Sequence, residues 1–388
     1  MSEAVLDRAR DQGIWLAAGH GATRLIQFAS TIVLARLLVP EDFGTVALAA
    51  VVWEVIALFG NTGVAATIIH RRGDVADLCQ AGFWLNAAVS TAVAVASLAV
   101  AAGAAAFYGD TRVVAIIGCY AGAFLIASAG TIHTVLLTRQ VDFGRLVLLD
   151  ISGAAASAVL SITLALFGLS LWSLVLPAPL VALLRTALAW RLHPWRPQLA
   201  PRLGLWRGIL GYGRWVLGAD LIGYLNLNGD YLIVGKMLGQ HALGIYSMAF
   251  RVANWPVEAG VWAISRVAFP TLSGLQENRE RMARAFEVML RMVGMLSMPA
   301  VAILFAAAPY LIAVLYGTER WGGLSQPIRI LLPCVALRAL ASPASQVLLA
   351  VGGARMLFTF GAVVTPVLLG GVWYGARFGV AGVATATS

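Results

Sequence analysis

A polar break between two long apolar runs, returned in register half a chain later, constrains this sequence more than any other feature. Residues 32–49 read IVLARLLVPEDFGTVALA, and residues 232–249 read LIVGKMLGQHALGIYSMA. The offset is a constant 200 with no gap: Arg36 falls on Lys236, Leu38 on Leu238, Gly44 on Gly244 and Ala49 on Ala249. Upstream, Gly13 and Trp15 fall on Gly213 and Trp215. Matches among apolar residues arise easily by chance. A basic residue, a helix stop and a glycine restart at the same point of each half do not. The pattern reads as a duplicated membrane unit, an arrangement that underlies many transporters.

The flanking runs belong in a bilayer. Hydrophobic residues make up 60% of the chain and charged ones 12%, with mean hydropathy +0.84, whereas soluble domains carry about 25% charged residues. Eleven long apolar spans lie at 14–38, 43–69, 79–107, 112–138, 146–168, 170–190, 209–236, 241–268, 285–308, 327–351 and 354–375. They are continuous rather than alternating, so they read as helices and not barrel strands; a helix satisfies its own backbone in lipid. Abundant Gly, Ala and Ser suit close helix packing where lipid removes any hydrophobic drive between helices. The first thirteen residues are polar and no small-residue cleavage site follows a short apolar core, so the first span reads as an uncleaved anchor. The last residues, GVAGVATATS at 379–388, begin a twelfth span and leave the second lobe one helix short.

The net charge of +9 follows topology rather than a nucleic-acid stripe. Loops on the N-terminal side hold fourteen arginines (8, 10, 71, 72, 139, 145, 191, 196, 202, 207, 279, 281, 284 and 355), against Arg36, Arg112, Lys236, Arg320 and Arg377 on the other. The N-terminus is therefore expected in the cytoplasm. The fold class expected is an all-α polytopic membrane protein: two pseudo-symmetric six-helix lobes around a central cavity, the last helix truncated. The N-terminal lobe covers 1–191, a cytoplasmic linker rich in Pro and Trp covers 192–208, and the C-terminal lobe covers 209–388. With six spans between equivalent points, the halves share one orientation, related by an axis along the membrane normal. Cys79, Cys119 and Cys334 lie far apart and no Cys/His cluster occurs, so no disulfide framework, metal site or cofactor is indicated.

No catalytic motif stands out, and GxSxG, HExxH and Walker patterns are missing from the sequence. Charge inside the spans is the chemistry on offer, since an ionisable group at mid-bilayer costs about 2.5–3.5 kcal/mol on insertion scales and usually faces the bundle interior. Arg24 lies ten residues into the first span, about 15 Å deep at 1.5 Å per residue. Glu54 lies at similar depth from the opposite side. The seventh span carries Asp220, then Tyr224, Asn226, Asn228 and Asp230, with Asn226 and Asp230 on one face. In the eighth, Arg251, Asn254 and Glu258 form a stripe around Pro256, with Arg266 beyond; Arg338 lies in the tenth. At the repeat offset Glu54 falls on Asn254. The bland readings are snorkelling for Asp150, Arg185 and Arg266, and interhelical pairing for Arg24 with Glu54 or Arg251 with Glu258 or Asp220. The surplus of central arginine favours an anionic ligand, because guanidinium grips phosphate bidentately. The Pro40–Gly44 turn reads as a helix connection.

Four segments carry a family likeness: LARLLVPEDFG at 34–44, NxNxDYLIVGKMLG at 226–239, ALGIYSMAFRVAN at 242–254 and ISRVAFPTLSGLQ at 264–276. They resemble the polysaccharide transporter (Wzx-like) family of lipid-linked oligosaccharide flippases, in the multidrug/oligosaccharidyl-lipid/polysaccharide exporter superfamily. The resemblance implies a multi-pass protein of the bacterial cytoplasmic membrane that flips an undecaprenyl-pyrophosphate-linked glycan by alternating access for surface polysaccharide biosynthesis. Members usually have twelve or fourteen spans, so the short C-terminus departs from the pattern. On this reading Arg24, Arg251, Asn254 and Arg338 bind substrate, and Glu54, Asp220, Asp230 and Glu258 supply counter-charge or a coupling site for H+ or Na+. Partners are the lipid-linked oligosaccharide, membrane lipid and other polysaccharide assembly proteins, with no nucleic acid. Two rivals remain: an ion-coupled drug or metabolite antiporter, which needs an acidic aromatic cavity, and a glycan polymerase or ligase, which needs an extracytoplasmic loop longer than the stretch near 315–326.

Overall fold

The computed structural model describes residues 3–255 and 278–387, apart from 72, 141, 200 and 352. Among them every regular element is helical. The helices fall into two compact units, Met1–Leu38 with Ala49–Leu221 and Val39–Leu48 with Ile222–Ser388.

In the first unit α1 (Glu3–Leu37) packs along α7 (Phe143–Leu166), and α4 (Ala76–Tyr108) along α5 (Arg112–Ser128). Helix α9 (Pro177–Leu192), entered through the single turn α8 (Trp172–Val175), packs against both α5 and α7. Two of the expected continuous spans are broken here, which corrects the reading of 43–69 and 112–138. Helix α2 (Pro40–Leu58) stops and α3 (Val64–His70) restarts after Phe59–Gly63. The stretch Gly60-Asn61-Thr62-Gly63 carries turn residues, and Phe59, Gly60 and Asn61 close the end with tighter i→i+3 bonds. Helix α5 bends by 50° into α6 (Thr131–Arg139). Side chains of α9 cap the carbonyls loosened there: Thr186 donates to Ile126 O at 3.0 Å and Trp190 Nε1 to Ala129 O at 2.9 Å. Irregular backbone survives at membrane depth only when so satisfied.

The chain leaving α9 is bound to this unit. Asp77, Gln80 and Trp84 form one stripe of α4. The Gln80 amide pairs with both backbone groups of Gln198, Trp84 Nε1 donates to Gln198 O at 2.8 Å, and Asp77 meets Arg202 at 3.1 Å. His133 Nε2 lies 3.0 Å from Trp195 O, and its ring stacks on Trp190.

In the second unit α10 (Trp206–Met237, from residue 222), α11 (239–255), α12 (Arg279–Leu315), the short α13 (Thr318–Trp321), α14 (Ser325–Ala350), α15 (Ala354–Gly375) and α16 (Gly379–Thr387) follow in order. Helix α12 packs along α14, and α16 against α14 and α15. Gly375 and Gly382 meet so closely that a Cβ on either overlaps the other's carbonyl oxygen; α16 thus folds back on α15. Pro309 inside α12 has no N–H for the carbonyl of Phe305. Arg329 Nε supplies that donor at 3.1 Å, its guanidinium lying over the Phe305 ring.

Residues 39–48 complete this unit. Phe43 packs edge-on against the fully buried Trp321, 5.4 Å between ring centroids. Gly44 and Gly244 touch backbone to backbone: a Cβ on Gly44 overlaps Gln240 O, and one on Gly244 overlaps Pro40 O. The contact is reciprocal at the same offset of 200 that relates the repeats in sequence.

Length and composition alone qualify six described stretches as membrane spans, or seven if the bent α5–α6 pair counts as one. The eleven expected from the sequence include α1, α2 and α10, whose apolar runs are interrupted by Arg24, Glu54, Asp220 and Asp230, and α11, described only to residue 255.

Candidate functional site

The expected site residues divide between the units. Arg24, Glu54 and Asp220 belong to the first; Asp230, Arg251, Asn254 and Arg338 belong to the second. Glu258, with Pro256 and Arg266, lies outside the described residues.

In the first unit a cavity of about 550 Å³ opens between α2, α5, α6, α7 and α9. Trp53, Tyr120 and Phe124 wall one side, with Trp53 edge-on to Phe124 at 5.6 Å. Arg185 sits at its margin, held by Asp150 at 2.6 Å. The snorkelling expected of Asp150 and Arg185 is thus an ion pair, half exposed on each side. A smaller recess of about 140 Å³ shares Phe124, Ala127 and Thr131 with this cavity and lies where both helices break. Asn61, Thr62, Asn86 and Ser90 line it; Thr62 donates to Asn86 Oδ1 at 2.7 Å. Asn61 Nδ2 reaches out to Asp220 Oδ2 at 2.9 Å, so Asp220 pairs with the broken segment of α2. Arg24 and Glu54 present exposed side chains on α1 and α2.

In the second unit Asp230 is 3% exposed. A buried carboxylate persists only with bonds to its oxygens. Tyr246 donates to Oδ2 at 2.6 Å, and the Tyr231 N–H donates to Oδ1 at 3.0 Å. The Tyr246 hydroxyl also lies 3.3 Å from Thr387 Oγ1, which brings α16 to the site. One turn earlier on α10, Asn226 Nδ2 donates to Thr365 on α15 at 3.1 Å. Arg338 on α14 is the cation within electrostatic reach of Asp230. The face shared by Asn226 and Asp230, read from their spacing, is therefore the face that α11, α14, α15 and α16 enclose. Arg251 is exposed and acts on Tyr316 electrostatically, while the Asn254 amide donates back to Phe250 O of its own helix at 2.9 Å.

Tyr246, Thr365 and Thr387 join the Asp230–Asn226 cluster of the second unit, and Asn61 joins Asp220 in the first, without having been singled out by sequence. They are neutral and come from distant helices; only Tyr246, inside ALGIYSMAF, lay in a stretch already marked. Chemically the second unit offers a buried acid held by one tyrosine hydroxyl and a backbone N–H, and the first an aromatic cavity with a guanidinium at its margin. Among the described residues no group of His, Cys, Asp and Glu is placed to hold a metal ion.

Comparison with known proteins agrees with this architecture. Residues 33–325 match the family model described as polysaccharide biosynthesis protein. The succinoglycan biosynthesis transport protein ExoT of Rhizobium meliloti (strain 1021) is 24% identical over 368 residues, covering 93% of this chain and 73% of its own. Among solved structures, the lipid II flippase MurJ in an inward closed conformation superposes with TM-score 0.75 at 12% identity, over 96% of this chain and 84% of MurJ. An inward-facing multidrug transporter of the MATE family superposes at 0.73 and 14% identity, over 94% of this chain and 90% of that one.

Proposed function

Because the chain belongs to the polysaccharide biosynthesis protein family, multi-pass membrane transporters rather than enzymes, we propose that it flips a polyprenyl-pyrophosphate-linked oligosaccharide across the bacterial cytoplasmic membrane. The family match over residues 33–325 carries this reading; the fold alone does not choose, since a lipid flippase and a drug exporter both superpose on it. The N-terminus is cytoplasmic, and segments 1–191 and 209–388 act as two lobes joined by the bound linker 192–208. They alternate in exposing the site while the prenyl tail stays in lipid.

Arg24, Arg251 and Arg338 address the pyrophosphate or acidic sugars, with Asn254 beside them. Glu54, Asp220 and Glu258 balance those charges. Asp230, bonded by Tyr246 and within electrostatic reach of Arg338, is the residue we assign to coupling with H+ or Na+: a single buried carboxylate changes its surroundings sharply when it gains a cation. With no Walker motif in the sequence, an ion gradient or the membrane potential supplies the energy, about 2.3 kcal/mol per charge per 100 mV. A second reading, an ion-coupled drug antiporter, draws on the Trp53–Tyr120–Phe124 wall.

Charge reversal decides the roles. Arg24→Glu and Arg251→Glu should each abolish export of the glycan in cells that depend on this protein, at unchanged membrane levels. Normal export from both variants would remove the arginines from the substrate path.

A further inference from the structure

The reciprocal glycine contact has a polar companion at its rim. Glu41 Oε1 and His241 Nδ1 lie 2.6 Å apart, and they too are related by the offset of 200. The first repeat's α2 and the second repeat's α11 thus cross about a local two-fold: Gly44 against Gly244, Pro40 O and Gln240 O facing the opposite glycines, Glu41 against His241. A pairing of one residue with its own repeat equivalent is unavailable to either repeat alone. We propose that Glu41 and His241 form an acid–base clasp between the two repeats, and that acidity on their side of the membrane tightens it.

Three features support the clasp. The backbone crossing beneath it is too tight to slide, so the helices either remain in contact there or part. The pair is about half exposed, at 48% for Glu41 and 61% for His241, so protons from solution reach it directly. Neither residue is bonded to another charged group among the described residues. The remaining charges on the elements meeting here are Asp42 on α2, Glu319 and Arg320 on α13, and Arg36 and Lys236 closing the helices that lead into the crossing. Bonding to its own backbone N–H, with His241 adding to it and burial opposing, holds the Glu41 carboxyl below its ordinary range. Glu41 precedes the apolar run of α2 and stays ionised through the weakly acid range; its contribution is present above ordinary carboxylate values and is lost only in stronger acid. Histidine is the side-chain type that changes charge between about pH 5 and 8. Acid therefore adds a positive charge opposite a standing negative one, and alkali removes it.

The clasp rests on the alternating-access reading for its meaning in transport, and its test does not. Spin labels go on cysteines placed at Leu37 and Met237, which are 38% and 40% exposed, with Cys79, Cys119 and Cys334 replaced by Ser. The full chain in lipid nanodiscs is then measured by pulsed electron resonance between pH 8 and pH 5.5, with no substrate present. The ratio of short- to long-distance populations should rise about two- to fivefold on acidification, the size expected of one exposed charge pair. Glu41→Gln and His241→Gln should each flatten the profile, and because both side chains are half exposed these variants should keep the wild-type melting midpoint. The local two-fold adds a rescue: Glu41→His with His241→Glu places the same pair in mirrored order and should restore the pH response. A response retained in either single variant, or absent from the swap in a protein of normal stability, overturns the clasp. Loss of glycan transport with the pH response intact instead counts against the substrate assignment alone.

Discussion

A single methyl group at Gly44 probes the crossing on which the two repeats meet. An ideal Cβ there overlaps the carbonyl oxygen of Gln240 and stands 2.8 Å from its carbon and 2.9 Å from the Gly244 amide nitrogen. Unstrained carbon contacts lie at about 3.5–4.0 Å, so the backbones must separate by roughly 1 Å or more. No rotamer relieves the clash, because every atom met belongs to main chain. Overpacking of this kind costs about 1–3 kcal/mol, occasionally more, and at about 2–4 °C per kcal/mol for a sizeable domain the midpoint should fall by roughly 2–12 °C. Gly244→Ala should behave alike, since its Cβ meets Pro40 in the same way. Gly21→Ala on α1 is the control: nothing lies within 4 Å of a Cβ there, and replacing a helical glycine gains up to about 1 kcal/mol. Thermal unfolding of the three variants in nanodiscs, followed by tryptophan fluorescence, makes the comparison. If Gly44→Ala melts with the wild type, the two helices do not approach backbone to backbone and do not cross about a local two-fold.

Further outcomes follow from individual contacts. Asp230→Asn should keep the Tyr246 bond and the fold but abolish dependence of transport on the ion gradient, measured in proteoliposomes with and without an imposed gradient. Arg329→Leu should orphan the Phe305 carbonyl and lower stability by about 1 kcal/mol or more, read as a shifted melting midpoint that Pro309→Ala in the same chain partly repairs. Gln80→Ala removes both bonds to Gln198, so amide hydrogen exchange over residues 193–198 should quicken roughly tenfold or more, as expected for a loss of about 1–3 kcal/mol. His193, beyond the end of α9, is pushed below its ordinary value by burial and by the charges of Arg145 and Arg196. Its docking free energy is therefore intact above the ordinary histidine range and is lost as pH falls towards the lowered value, so protection of residues 193–198 should drop in acid but not in alkali.

The helical class was plain in the sequence, because continuous apolar runs in a chain this poor in charge leave few alternatives. The repeat was plain too, yet its consequence was hidden: an offset shows that Gly44 and Gly244 are equivalent, not that they touch. Helix breaks were half legible. Gly60-Asn61-Thr62-Gly63 carries turn chemistry that the surrounding hydrophobicity outweighed, whereas the bend after Ser128 has no proline and depends on Thr186 and Trp190 arriving from α9. Asp230 was visible because a charge inside a span demands a reason. Its partner Tyr246 was not, nor were Thr387 beside Tyr246 and Thr365 beside Asn226, since hydroxyls are ordinary on membrane helices and only packing gathers them. Arg329 illustrates the same limit: its role exists only because α14 lies beside the carbonyl that Pro309 leaves open.

Reconstitution tests whether this chain carries a lipid-linked glycan across a bilayer. Purified protein goes into liposomes holding a fluorescent prenyl-pyrophosphate-linked oligosaccharide, and a membrane-impermeant reductant quenches the headgroups it can reach. Quenching should extend to inner-leaflet headgroups only when protein is present, and that extension should be lost in Arg24→Glu. Quenching confined to the outer leaflet with well-folded protein, or equal quenching with Arg24→Glu, would contradict this expectation.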